Sequence, residues 1–381
     1  MTHMVMGPTC GMILAQLGAE VIKVEPPAGD KTRDLGGMGV SFFPLFNRGK
    51  RSVVLDFAKA EDRATMDRLL ASADVFVENF RDGQLEKQGL GAGELHRRHP
   101  HLIVCGHKGF LSGPYEHRPA LDEVVQMMSG LAAMTGTQEK PQRVGSSAND
   151  IMGGMFGVIS ILAALYQKRG GAKGADKGAG IRIGLFENCL FLVAQHMVEY
   201  EMTGNHPRSM PEREHAWPIY DIFETSSGER MFIGVVTEGH WQSFCQEFGL
   251  QEFLDDTALR TTTERIFARG RIIPRVAEVI KRWNAAQLSA KLDKLNICFS
   301  PINRPEDLFG DPHVLRPGGL VNNINANGEA FRVPALPIEW NGENVGEGLR
   351  VAALGADTSA VRAELEDQKI SANAKTAARL A

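Results

Sequence analysis

Short β-branched runs alternate with helical periods over the first third of the chain. Apolar spacing predicts a helix over Gly11–Leu17, stopped by Gly18, and the run Glu20–Val24 predicts a strand buried on both faces. Arg51–Phe57 reads as a second strand, Lys59–Ala71 as an amphipathic helix, Val75–Val77 as a third strand and His101–Cys105 as a fourth. Strands and helices at this spacing predict an α/β architecture with a doubly wound parallel sheet.

Beyond Leu121 the pattern turns helical over Asp122–Met134, Ile151–Lys168 and Glu187–Thr203, with one strand at Ile181–Leu185. The Gly/Lys/Ala-rich stretch Gly170–Gly180 reads as an exposed loop. It would cradle a phosphate poorly, because no strong strand feeds it and no helix follows at once. From Pro207 the texture changes again. Tyr220–Glu224 and Arg230–Val236 predict a hairpin turned at Ser226–Gly228, followed by helices at His240–Phe248, Pro274–Trp283 and Ala286–Leu295, a smaller α+β unit. Short strands return at Gly319–Asn323 and Phe331–Pro334, and the Ala/Glu/Lys-rich end is expected to fray.

A chain of 381 residues, 43% hydrophobic, can bury a large core and is expected to form two structural units. Its net charge of -4 offers no electrostatic footprint for nucleic acid or an anionic membrane, which leaves a small-molecule substrate as the expected partner. The five cysteines are scattered and never form a CxxC pair. This argues against a disulfide framework or a zinc site and for a reducing cytoplasm. The most apolar run, Ile151–Tyr166, falls short of the roughly 20 residues of a spanning helix, so neither a membrane nor a targeting segment is expected.

Gly145–Gly154 (GSSANDIMGG) is the most informative segment. Small polar residues lead into a helix carrying Gly153, Gly154 and Gly157, each costing up to about 1 kcal/mol relative to alanine. Close approach of another backbone or of a ligand would account for them. Asp150 stands at the helix N-terminus, where partial positive charge is expected to keep a carboxylate ionised. On pattern alone, Asn149 or Asp150 acting as a plain N-cap is the simpler reading. Two basic clusters, Gly29–Arg33 and Asn47–Arg51, are candidates for holding phosphates or are simply solvated; the first is better placed for a crevice at the carboxyl ends of parallel strands. Glu78–Arg81 adds an amide and an aromatic face at the same edge. His107, His117, His196 and His215 lack metal-ligand spacing, and neither a GxSxG elbow nor a Walker lysine occurs.

Taken together, Gly18–Pro27 (GAEVIKVEPP), Gly29–Arg33, Asn47–Ser52 with Leu55–Asp56, and Val77–Phe80 resemble the family III CoA-transferases. That family includes formyl-CoA and carnitine CoA-transferases and alpha-methylacyl-CoA racemase. The resemblance continues through Gly113–Tyr115, Gln126, Ser129–Leu131, Thr135–Gly136, and Asp150 with Gly154. It implies a Rossmann-like large CoA-binding domain built from both chain ends, residues 1–205 and 316–381, around an inserted small α+β domain at 206–315. It further implies two subunits threaded into an interlocked homodimer. Asp150 falls on the family's nucleophile. CoA contacts fall on Arg33 and Lys50 near the nucleotide phosphates, and on Asn79, Phe80 and Lys108. Coenzyme A is then a substrate, with no permanently bound cofactor and no metal. Lys108–Arg118 and Met210–Arg213 resemble the branch acting on short dicarboxylates such as succinate, mesaconate, citramalate or malate.

The family's racemases carry a histidine just before the aspartate that matches Asp122, and here that position is Leu121. An acyl-CoA racemase of the same fold is therefore the disfavoured alternative. Two features depart from the family pattern. Members open with a strand ahead of the glycine-proline helix start, so a chain beginning at Met1 is expected to be one strand short or to have a misplaced start. Charged residues within Glu212–Trp217 stand where formyl-CoA transferases carry a glycine-rich loop, which argues against oxalate as the substrate.

Overall fold

The computed structural model describes residues 1–170, 177–213, 215–346 and 348–367. The fraying expected at the carboxyl end and the middle of the Gly170–Gly180 loop lie outside the described residues. Two compact units result: Met1–Pro211 with the described residues from Leu315 onward, and Glu212–Val314.

The first unit runs α1 (Met6–Gln16), β1 (Ile22–Glu25), α2 (Phe42–Asn47), β2 (Arg51–Val54), α3 (Ala60–Ser72), β3 (Val75–Glu78), α4 (Ala92–Arg98) and β4 (Ile103–Lys108). It continues through α5 (Asp122–Met128), α6 (Leu131–Thr135), α7 (Ala148–Arg169), β5 (Gly180–Gly184) and α8 (Leu185–Thr203). The strands are short, and every pair among them is parallel. Helices cover both faces, as alternation of strand and helix requires. Cys10 of α1 and Val158 and Ile161 of α7 pack with Cys105 on one side. Met66, Leu69 and Leu70 of α3 and Leu95 of α4 pack with Phe76 and Val104 on the other.

The single sheet expected from the sequence is instead divided in two, β1–β2 and β3–β4–β5. The one helix expected over Asp122–Met134 is also divided. Gly130, at φ 86°, takes a left-handed conformation that a side chain disfavours, and it turns the chain between α5 and α6. Helix α7 begins earlier than expected and spans 22 residues, with mean hydropathy 1.6 over its most apolar window. By length and composition alone it could cross a membrane, so the length argument against a spanning helix fails.

The second unit holds an antiparallel sheet of β6 (Ile219–Glu224), β7 (Arg230–Val235) and β8 (Cys298–Pro301). Around it lie α9 (Glu238–Glu247), α10 (Gln251–Asp255), α11 (Thr262–Phe267), α12 (Arg269–Ile280) and α13 (Ala285–Lys294). Trp241, Phe244, Ile272 and Leu288 close its core against Ile219 and Ile233. Pro274 lies inside α12 rather than at its start. The chain then returns to the first unit as an antiparallel pair, β9 (Leu320–Ile324) and β10 (Ala330–Pro334). The last described segment seals the free edge of β2: Ser52 N donates to Asp357 Oδ2 at 2.8 Å and Val54 N to Thr358 Oγ1 at 3.0 Å.

Candidate active site

Ser147 is the N-cap of α7, and its side chain makes no capping bond. The first-turn N–H groups, which have no intrahelical acceptor, therefore remain available to an oxygen ligand. Neither Asn149 nor Asp150 is the cap, contrary to the simpler sequence reading; both lie within the first turn. Asn149 is fully buried. Its Nδ2 donates to Leu185 O at 3.0 Å, and Asn188 Nδ2 donates to its carbonyl at 2.7 Å, which ties the turn to α8.

The three glycines answer the approach of protein, not of a ligand. A Cβ on Gly154 would lie 2.6 Å from Thr9 Cβ and 2.8 Å from Met6 O, so α1 packs directly on the α7 backbone. A Cβ on Gly157 would meet His107 Nε2 at 2.5 Å. The packing holds the start of α7, and with it Asp150, at a fixed height above the strands.

Asp150 is half-buried. Burial, followed by the nearby carboxylates of Asp122 and Glu123, pushes its carboxyl up to about 7. A rise from 3.8 to about 7 opposes the ionised form by about 4 kcal/mol. The helix dipole favours it by only ~0.3–1 kcal/mol, so the expectation that the N-terminus keeps Asp150 ionised is overturned. Asp122, in the first turn of α5, is itself buried and raised, burial outweighing the hydrogen bonds that oppose it. Its Oδ1 accepts from Gln126 Nε2 at 3.1 Å, and Gln126 Oε1 accepts from Val144 N at 2.9 Å. That relay fixes the strand of loop leading into α7. Sequence reasoning used Asp122 and Gln126 only as family markers; their spacing of four on a short helix was the available signal that they act together.

The other predicted residues gather at the carboxyl ends of β1, β3 and β4, the edge at which open α/β sheets bind ligands. Lys108 Nζ donates to Phe80 O at 3.0 Å and pairs with Glu78 at 2.8 Å and Asp82 at 3.1 Å. Burial pulls its ammonium down, but the two carboxylates outweigh burial and raise it. Asn79 clamps the His3 backbone, accepting from its N–H at 2.9 Å and donating to its carbonyl at 2.8 Å. The Phe80 ring lies 5.3 Å from that of His3 and borders a cavity of about 390 Å³ shared with Gln84, Lys87 and Gln88. Arg33 grips both oxygens of Glu25 at 2.7 and 2.8 Å and lies over the Phe43 ring at 3.9 Å.

Lys50 stands apart from these. It precedes β2, at the other end of the strands, and its Nζ donates to Pro8 O, Phe46 O and Asn47 Oδ1 at 2.8 to 2.9 Å. Burial, then the neighbouring Lys23, drives its ammonium well below the ordinary lysine range. Among the described residues, no group of three or more His, Cys, Asp or Glu side chains is placed to hold a metal ion.

Residues 1–358 match the family described as CoA-transferase family III. The chain belongs to CoA-transferase family III. It is 29% identical over 358 residues to the succinyl-CoA–D-citramalate CoA-transferase of Chloroflexus aurantiacus, covering 90% of this chain and 88% of that protein. It is 30% identical over 373 residues to the succinate–glutarate CoA-transferase of Agrobacterium fabrum, covering 94% and 92%. A CAIB/BAIF family protein from Brucella suis has a similar structure, with TM-score 0.85 and 32% identity over 96% of this chain and 97% of that one. This CoA-transferase therefore has the α/β fold of its family, and the racemase alternative gains no support from these matches.

Proposed function

We propose that this CoA-transferase moves CoA from an acyl-CoA, succinyl-CoA or a close analogue, to a short dicarboxylic acid through a thioester on Asp150. The observation that carries the reading is the placement of Asp150: a half-buried carboxyl in the first turn of a helix whose N–H groups are uncapped. The Asp150 carboxylate attacks the thioester carbonyl, the C–S bond breaks, and a mixed anhydride and CoA thiolate result. The thiolate then attacks the aspartyl carbonyl, releasing the donor acid as its carboxylate and leaving aspartyl-CoA. The acceptor carboxylate attacks that thioester, and the expelled thiolate attacks the acceptor's acyl carbon, which regenerates the Asp150 carboxylate. The α7 N–H groups face the oxyanions that form at each step, and fixed geometry supplies what a weakly nucleophilic carboxylate lacks.

Coenzyme A is a substrate in this reading, with no resident cofactor. The nucleotide lies along the carboxyl edge, its base against Phe80 and Asn79 and its phosphates toward Lys108 and Arg33. Lys50 serves the phosphates only by exchanging one of its carbonyl partners. The site lies within the Rossmann-like large domain, residues 1–205 and 316–381, and residues 206–315 form the small α+β domain. The homodimer reading is supported by the exposed Ile159 and Leu162 of α7 and Phe191, Met197 and Val198 of α8, apolar side chains that a partner subunit would cover. Five free cysteines, four of them buried, support a cytoplasmic location.

Incubation with succinyl-CoA and a panel of carboxylic acids, followed by mass spectrometry, tests the reaction. New CoA esters and a CoA adduct on Asp150 are expected. Full transfer activity in Asp150→Asn would falsify the mechanism.

A further inference from the structure

Lys108, the last residue of β4, has no hydrogen left for a ligand. Its three ammonium hydrogens are met by Phe80 O at 3.0 Å, Glu78 Oε1 at 2.8 Å and Asp82 Oδ1 at 3.1 Å. A phosphate reaches this cation only by displacing one of the three. Two of them are fixed. The Phe80 carbonyl is main chain, and Glu78, its side chain 7% exposed, is held at its other oxygen by Phe80 N at 2.8 Å. A Cβ on Gly106 would lie 2.5 Å from Glu78 Oε1, so β4 closes on that carboxylate from below.

Asp82 is the loose partner. Its contact is the longest of the three, its side chain is 33% exposed, and it lies in the loop after β3 rather than on the strand. It also has other groups to turn to, since its Oδ2 lies 3.7 Å from His117 Nδ1 and 4.0 Å from an Arg182 nitrogen. Arg182 is held in place on β5, donating to Glu116 Oε1 at 2.6 Å and to Ser112 Oγ at 2.8 Å. A cavity of about 420 Å³, bordered by Asp82, Lys108, Glu116 and Arg182, leaves the Asp82 carboxylate room to cross. Two cations, Lys108 and Arg182, face three carboxylates, Glu78, Asp82 and Glu116, so an arriving anion meets one negative charge in excess.

We propose that Asp82 is the exchangeable counter-ion of Lys108, and that it makes this cation selective for an anion already anchored elsewhere on the protein. The inference rests on the reading that a CoA phosphate meets Lys108. In the ligand-free protein the Asp82 carboxylate takes the phosphate's place; on binding it yields Lys108 and moves to Arg182 and His117. A free carboxylic acid or inorganic phosphate brings no second anchor and does not displace a tethered carboxylate. A CoA phosphate does, because the base held against Phe80 raises its effective concentration at Lys108. Asp82 thus keeps the acid substrates of the reaction off the CoA site.

The test is calorimetric titration of coenzyme A into the full chain, Asp82→Asn, Lys108→Met and the double variant, with and without inorganic phosphate as competitor. Asp82→Asn is expected to bind CoA roughly two- to fivefold more tightly, the worth of a part-exposed ion pair, and to lose that gain in inorganic phosphate, which leaves the unaltered chain unaffected. Loss of a merely structural ion pair would not tighten binding. Lys108→Met is expected to bind CoA roughly tenfold more weakly, and Asp82→Asn to change nothing further in that background. Unchanged or weaker binding by Asp82→Asn, beside weakened binding by Lys108→Met, overturns the exchange and leaves the contact between Lys108 and CoA standing. A gain from Asp82→Asn that persists without Lys108 overturns it as well, being then a general effect of charge. If Lys108→Met binds CoA as tightly as the unaltered chain, that contact falls and the exchange falls with it.

Discussion

Asp150→Asn is expected to abolish CoA transfer and yet to stabilise the protein above neutral pH. The folded chain holds the Asp150 carboxyl at about 7 against an ordinary 3.8, so the native state binds this proton more tightly than the unfolded state does. Stability drawn from that proton is complete below pH 3.8 and is lost as pH rises through about 7. By pH 8 the loss approaches about 4 kcal/mol. Asparagine cannot ionise and escapes this loss. It also gives up the favourable charge on the helix dipole, ~0.3–1 kcal/mol, and must house an amide in a half-buried place. The net gain expected is roughly 2 kcal/mol at pH 8 and close to zero near pH 4.5.

Urea unfolding of the ligand-free protein at the two pH values measures the difference directly. A large, pH-dependent gain would mark Asp150 as a group held in an unfavourable state for function, the usual relation between an active site and stability. If the asparagine variant instead loses about 1 kcal/mol at both pH values, Asp150 behaves as an ordinary first-turn acid and the reasoning is refuted.

Other outcomes follow from the same geometry. The pH profile of kcat/KM should rise with a midpoint near 7 as Asp150 ionises, and Glu123→Gln should move that midpoint down by removing one of the neighbouring charges. Gly154→Ala should destabilise by roughly 1–3 kcal/mol in thermal unfolding, because the new Cβ meets the Met6 carbonyl. Gly153→Ala should cost less, since it meets the movable end of Met6. Lys108→Met should raise KM for acyl-CoA roughly tenfold with kcat little changed, the loss of one charge-assisted contact of about 1.4 kcal/mol. If the proposed homodimer forms through α7 and α8, the unaltered chain should sediment as a dimer and Ile159→Glu with Phe191→Glu as a monomer.

The strands and their parallel sense were legible because β-branched runs between helical periods leave few other arrangements, and β1 through β5 all fall within a few residues of the expected places. Where the chain reverses was less legible. The helix expected over Asp122–Met134 shows no break in its apolar period; only Gly130 marks it, and a single glycine inside a periodic run is a weak stop. Edges of elements failed for a local reason of the same kind. Ser147, Asn149 and Asp150 are all good caps, so the sequence does not rank them, and Asn149 is drawn into the helix by bonds to Leu185 and Asn188 that no local pattern contains.

The candidate site shows the same boundary more sharply. The edge position of Arg33, Asn79 and Phe80 could be read along the chain, because each follows a strand and parallel strands bring their carboxyl ends to one edge, whereas Lys108 came only from the family resemblance and ends a strand that runs three residues beyond its expected limit. The state of Asp150 could not be read. A helix N-terminus by itself argues for an ionised carboxylate, and that argument is sound within one helix. What reverses it is burial together with Asp122 and Glu123, which belong to another helix placed beside the first turn only after folding. The glycines of α7 make that placement possible by letting α1 and His107 close on its backbone. Their cost in helix propensity is thus tied to the position of Asp150, although none of the three is positioned to touch a substrate.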